Sequence, residues 1–370
     1  MWWFMRYRSG PVSFTHGAGM KGTTMRLRSR KVMSGIVAGL VASSIAIAPA
    51  GAQSTCQGFA PTIESNAAVI TGTDQRDIIL AGDGDNEIHG LSGNDVICAG
   101  GGDDVVFGNK GADTIDGGDG DDVIGGGPGK DLIFGRNGAD ELRGGLSKDE
   151  IHGNGGKDLI NGGERNDTLF GGTANDEIIG STGDDEIHGD SGNDIILAGR
   201  GNDFIEAGKG NDAVDGGRGN DTVFGNQGND DVIGGLGDDF INGGLGQDHL
   251  LGDDGRAFDE PPNSGILHPG GDDTILGNDG ADYVGGEGGN DILSGSDGLD
   301  VVDGFHGNDI VNGNQLNDLL SGGPGDDTLD GGIGEDRCWP ELVVLTAGAV
   351  PAVNSNDSVL SCEQINQVLN

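Results

Sequence analysis

The chain has 370 residues, of which 78 are Gly, 62 are Asp or Glu and only 20 are Lys or Arg, giving a formal net charge of -42. A polyanion of this kind lacks the clustered cations that phosphate recognition needs, which excludes nucleic acid as a partner, and 10 Pro beside 78 Gly exclude a collagen repeat. Large apolar residues are too few for an ordinary globular core, so composition alone points to disorder; the spacing of the residues overrides it.

Residues 1–52 hold seven cations (Arg6, Arg8, Lys21, Arg26, Arg28, Arg30 and Lys31) and no acid. An apolar and small-residue run follows from Val32 to Ala48, and then Ala50-Gly51-Ala52 ahead of Gln53. Basic region, apolar run and small-residue cleavage site together predict a secretory signal peptide over 1–52. A membrane anchor fits less well, because Gly and Ser dilute the run and no stop-transfer pattern follows. Residues 1–24 exceed what a signal peptide needs, which places the expected translation start at Met25. Processing would leave 13 cations against 62 acids, a net charge of -49, on a secreted, extracellular chain with no transmembrane segment.

Four cysteines fit an oxidising compartment. Cys56 and Cys98 flank the start of a regular region, and Cys338 and Cys362 its end. Four cysteines allow three pairings. Proximity favours Cys56–Cys98 and Cys338–Cys362, each tying down a short cap: residues 53–71, with Phe59 and Ile63, and residues 340–370.

Between the caps, over 72–339, the chain repeats every nine residues. Counted from Gly72, the sixth position is Asp77, Asn86, Asp95, Asp104, Asp113, Asp122, Asp131, Asp140, Asp149, Asp158, Asp167, Asp176, Asp185, Asp194, Asp203, Asp212, Asp221, Asp230, Asp239 and Asp248. After an interruption it continues as Asp273, Asp282, Asp291, Asp300, Asp309, Asp318, Asp327 and Asp336. The eighth position is aliphatic from Ile79 to Leu329 and breaks only at Cys338. The fourth is Gly except at Gln75, Ser147, Arg165, Ala174 and Leu316.

One aliphatic per nine residues makes no core by itself. Stacked short strands place these aliphatics in a continuous ladder, and the Gly-rich half of each nine supplies a sharp turn. Two nines make one coil of strand, turn, strand, turn. The 28 nines therefore predict an all-β solenoid of about fourteen 18-residue coils. Sixth-position carboxylates then recur at about 5 Å in two files and repel one another. A hard divalent cation between successive turns removes the repulsion. Ca²⁺ suits it, since it takes six to eight oxygens from carboxylates and carbonyls, whereas Mg²⁺ demands strict octahedra and Zn²⁺ prefers the Cys and His that these turns lack. Filling about 26 gaps would add roughly +52, which is close to the charge of the processed chain.

The repeat resembles the RTX, or hemolysin-type, calcium-binding nonapeptide G-G-x-G-x-D-x-U-x. The resemblance implies a right-handed parallel β-roll in which turn carbonyls and sixth-position aspartates of two successive turns on the same edge surround each Ca²⁺. It thereby carries the ligand role onto Asp77 and onto Asp95 and each later sixth-position aspartate as far as Asp327. Asn86 lacks the charge, and Asp336 has no following turn with which to pair. Sites at Gln75, Ser147, Arg165, Ala174 and Leu316 are expected to be weak or empty.

The segment 255–270, with Pro261-Pro262 and Pro269, is expected to be one turn enlarged by a surface excursion, with the roll continuing through it. Leu342–Leu345 and Ser358–Leu360 are expected to cover the last coil, since solenoids need capped ends. Gly189-Asp190-Ser191-Gly192 imitates a serine nucleophile but fills positions one to four of a nine. His89, His152 and His188, and Phe107, Phe134, Phe170 and Phe224, occupy ninth positions on the outer face. With no room for a catalytic domain, the expected function is extracellular calcium binding coupled to folding, without catalysis. A calcium-dependent adhesin that binds polysaccharide is the alternative.

Overall fold

The computed structural model describes residues 55–253 and 270–339, together with the strands Ser358–Leu360 and Gln364–Ile365. The expected signal peptide, the excursion after Asp253, the segment 342–345 and Cys362 lie outside these residues. The described chain is all strand and turn, folded as a parallel β-solenoid of two 16-stranded sheets. Consecutive strands alternate between the sheets, so each sheet takes every second strand.

Register follows the repeat. Ile151 pairs with Leu169, and Leu169 with Ile187, each 18 residues on. Across the excursion Phe240 pairs with Thr274 and His249 with Tyr283, a step of 34 in place of 18, and the register resumes unchanged. Sixteen added residues thus leave both sheets continuous.

Eighth-position side chains point inward. Ile79, Ile88, Ile97 and their successors to Leu329 are almost wholly buried and form one continuous core. Burying an aliphatic side chain contributes about 1.5–3 kcal/mol. Each coil supplies only two such residues, which leaves stability to the stack as a whole.

Both ends add strands. Ile63–Glu64 pairs with Ile78–Leu80, and Val69–Thr71 with Glu87–Ser92. Phe59 is exposed, and its ring lies 5.1 Å beneath the Arg76 guanidinium. At the other end Ser358–Leu360 pairs with Thr328–Asp330, and Gln364–Ile365 with Arg337–Cys338. Cys56 and Cys98 form a disulfide, with Cα atoms 5.7 Å apart. Cys338 is disulfide-bonded as well; its expected partner Cys362 is outside the described residues.

Candidate metal centre

In most nines the first three positions finish a strand, as Gly117–Asp119 finish Thr114–Asp119, and the next three turn the chain towards the other sheet. In the nine that starts at Gly117 the second and fourth residues, Gly118 and Gly120, have φ of 110° and 132°. A Cβ on Gly120 would fall 2.1 Å from the carbonyl oxygen of Gly102, one coil earlier. Backbone conformation and close coil-to-coil approach both call for glycine there. Arg165, Ala174 and Leu316 take the same left-handed conformation at the fourth position, with φ of 86°, 86° and 73°. That is strained for residues with a Cβ. Gln75 and Ser147 do not adopt it, so their turns escape this strain.

Each turn closes on its sixth-position aspartate, and these side chains are buried. The two carboxylate oxygens have different surroundings. Oδ1 accepts the backbone N–H of the sixth-position residue one coil earlier. Asp95 N–H donates to Asp113 Oδ1 at 2.8 Å, Asp113 N–H to Asp131 Oδ1 at 2.8 Å, and Asp140 N–H to Asp158 Oδ1 at 2.9 Å. The pattern runs unbroken to Asp318 N–H and Asp336 Oδ1, and it crosses the excursion from Asp239 to Asp273 at 2.7 Å.

The other oxygen, Oδ2, is buried and accepts no hydrogen bond in Asp95 and in every sixth-position aspartate from Asp104 to Asp318. Asp336, expected to lack a site, has the same buried Oδ2. Asp77 differs. Its Oδ2 accepts the Thr73 N–H at 2.6 Å and the Thr73 hydroxyl at 2.8 Å, which makes it the least available of the expected ligands. Asn86 donates its Nδ2–H to the Ala67 carbonyl at 3.0 Å.

Beside many of these Oδ2 atoms lies a second oxygen. A Cβ built on Gly108, at the first position, would sit 2.5 Å from Asp113 Oδ2 and 2.9 Å from the Gly126 carbonyl oxygen of the next coil. On Gly153 the corresponding distances are 2.4 Å to Asp158 Oδ2 and 2.5 Å to the Gly171 oxygen. The missing methyl leaves a small cradle between a carboxylate and a carbonyl.

Unpaired and buried, these carboxylates resist ionisation. Burial pushes Asp113 up to about 6, Asp122 and Asp131 up to about 7, and Asp273 up to about 9. The backbone hydrogen bond pulls the other way, and aspartates one coil away add to the rise. A buried oxygen with no partner, repeated along both files, suits a cation. Among the described residues no three His, Cys, Asp or Glu side chains converge, so an ion here would draw on turn carbonyls as well as carboxylates. That donor set is all oxygen and fits Ca²⁺.

The nine-residue reading located the aspartates without a second ladder beside them. Fifth-position side chains accept amides in the opposite direction. Asn94 Oδ1 takes the Ala112 N–H at 3.0 Å, and Asn193 Oδ1 the Asn211 N–H at 2.9 Å, each from one coil later. The recurrence of Asn and Asp at that position was the available signal.

Of the outer-face aromatics, His89 and Phe107 stack at 5.1 Å on one sheet, and a longer stack runs along the other. Phe134, His152, Phe170 and His188 lie face to face at 4.5–5.0 Å between centroids, and Phe204, Phe224 and Phe240 continue as tilted rings. His152 pairs with Glu150 at 3.0 Å, and His188 with Glu206 at 3.0 Å. The rings from Phe134 to His188 turn their faces to one another, and Arg136 covers Phe134. Little ring face is left there for a sugar.

A family model described as RTX calcium-binding nonapeptide repeat matches the chain over 71–106, 99–133, 125–160, 134–169, 161–196, 188–223, 224–258, 270–293, 285–320 and 312–340. No curated protein matches it.

Proposed function

Because the chain belongs to the RTX calcium-binding nonapeptide repeat family, we propose that it is an extracellular protein that folds on binding many calcium ions and performs no catalysis. One observation carries this reading: the buried Oδ2 without a hydrogen bond, present in successive turns from Asp95 to Asp318. These aspartates, with the turn carbonyls beside them, would hold the ions. Bound Ca²⁺ supplies positive charge that offsets the stacked carboxylates. Without it, each coil must bury two carboxyl groups for two aliphatic side chains, a poor balance. Metal binding and folding are then one equilibrium.

Export is supported by the basic and apolar start of the sequence and by the disulfide between Cys56 and Cys98. No helix among the described residues is long and apolar enough to cross a membrane. The absence of catalysis is supported by the repeat filling most of the described chain, with carboxylates in files and not as a single acid–base pair.

The test is a calcium titration of the processed chain, followed by far-UV circular dichroism and by bound calcium per mole. The spectrum is expected to pass from coil-like to β-like as many ions bind. A β-like spectrum that persists in excess chelator, with no calcium retained, would refute the reading.

A further inference from the structure

The excursion leaves and rejoins the roll within a single nine. Gly252 and Asp253 hold its first and second positions, and Gly270 to Asp273 hold the third to the sixth. Asp253 is unlike other polar residues at the second position. Asp190, Asn226 and Glu287 have φ of 70°, 73° and 69°, and each keeps some exposure. Asp253 does not take that left-handed conformation, and it is only 3% exposed.

Its carboxylate meets a carbonyl of the next coil. A Cβ built on Gly270 would fall 1.7 Å from the Gly288 oxygen and 1.8 Å from Asp253 Oδ2. The two oxygens are therefore no farther apart than these distances laid end to end. A carbonyl and a carboxylate are both acceptors and have no proton to offer each other. Their close contact is favourable only where a cation or an added proton is shared between them.

A second carboxylate stands beside the first. Asp273, in the same nine, is 1% exposed, and its Oδ2 accepts no hydrogen bond. A Cβ on Gly252, the residue before Asp253, would lie 2.1 Å from that Oδ2 and 2.8 Å from the Gly286 oxygen. Burial is the main cause of the raised pKa of Asp273, but among its charged neighbours Asp253 raises it most, ahead of Asp239 and Asp291 one coil away. Oxygens that share a Ca²⁺ at about 2.3–2.6 Å lie within roughly 5 Å of each other. Both pairs of oxygens meet that limit.

We propose that Asp253 and Asp273 together hold a calcium ion at the root of the excursion, with the carbonyl oxygens of Gly286 and Gly288 from the next coil. The proposal rests on the calcium-binding reading and adds a ligand that the nine-residue repeat does not supply. Two carboxylates in one nine balance the charge of one dication. They also stand on the two sides of the excursion, so the ion would tie its beginning to its end and keep the turn closed despite the added residues.

The test is a crystal structure of the processed chain grown in calcium, together with ion counting by native mass spectrometry. The structure is expected to show an ion with oxygens of both Asp253 and Asp273 at about 2.3–2.6 Å. Ions in other turns and none on Asp253 would overturn the proposal while the calcium-binding reading stands; no ion in any turn would overturn both. By mass spectrometry, Asp253→Asn is expected to carry one ion fewer than the parent at the calcium concentration that just saturates the parent. Asp190→Asn, at an exposed second position, is expected to leave the count unchanged. Equal counts for the parent and Asp253→Asn, or equal losses for Asp253→Asn and Asp190→Asn, would overturn the proposal.

Discussion

Asp140 and Asp158 are joined across one coil by a 2.9 Å hydrogen bond from the Asp140 amide to Asp158 Oδ1. The same carboxylate leaves Oδ2 buried without a partner. One side chain thus has two oxygens with separable roles: Oδ1 accepts an amide, and Oδ2 is the one proposed above to meet calcium.

Two substitutions at Asp158 separate the roles. Asp158→Asn keeps an acceptor for the Asp140 amide and removes the charge, whereas Asp158→Ala removes both. In saturating calcium both should lower the thermal midpoint and the calcium count. Asp158→Ala should be the worse by about 1–3 kcal/mol, the cost of leaving a buried amide unpaired. Equal midpoints for the two variants would show that the Oδ1 bond contributes nothing measurable.

The metal-free chain should gain structure in acid. Burial holds Asp122, Asp131, Asp176 and Asp221 at about 7 in the fold, against an ordinary value near 3.8 for the unfolded chain. Between these values the folded state keeps protons that the unfolded state has released, so stability falls as pH rises. It is greatest below about pH 4 and is lost towards pH 7. Calcium has the opposite dependence, because binding displaces those protons. Circular dichroism in chelator should therefore show more β structure at pH 4 than at pH 7.5, and the calcium needed for folding should increase as pH falls. A metal-free spectrum that does not change between those pH values would contradict the assignment of buried, proton-holding carboxylates.

The period of nine made the aspartate files and the aliphatic ladder legible, because one strand and one turn per nine leave no freedom in which residues face inward. Ile151 over Leu169 and Asp131 beside Asp149 follow from counting. Counting does not say which oxygen of Asp149 meets the Asp131 amide, since that depends on the side-chain torsion within the turn. It also missed Phe204 and Phe240, which join the aromatic stack from the seventh position and not the ninth. Pairwise contact across coils, not spacing along the chain, brings them in. The Thr73 hydrogen bonds to Asp77 are likewise a local choice of the first turn, where no regular coil precedes it.

Relieving left-handed strain should stabilise the roll. Leu316 has φ of 73° where most turns have glycine, and its side chain is exposed. Leu316→Gly gives up little burial and removes a conformational cost of about 1–2 kcal/mol, part of which returns as backbone entropy in the unfolded chain. The expected result is a small rise in thermal midpoint in saturating calcium, with Arg165→Gly behaving alike. A fall in midpoint for both would mean that these side chains make contacts worth more than the strain.

The Cys56–Cys98 bridge should act locally. It closes a loop with a sequence separation of 42, which in the chain-entropy account contributes about 4 kcal/mol. In a solenoid each coil touches only its neighbours, so a crosslink at one end does not stabilise the whole stack equally. The bridge spans the edge strands Ile63–Glu64 and Val69–Thr71, which have a neighbour on one side only. The paired substitution Cys56→Ser/Cys98→Ser should therefore speed hydrogen exchange through the strands up to Val96–Gly101 and leave amides such as that of Asp158 protected. Calcium binding by the central turns should persist. Uniform loss of protection along the chain would show that the roll unfolds as a single cooperative unit and that the bridge supports all of it.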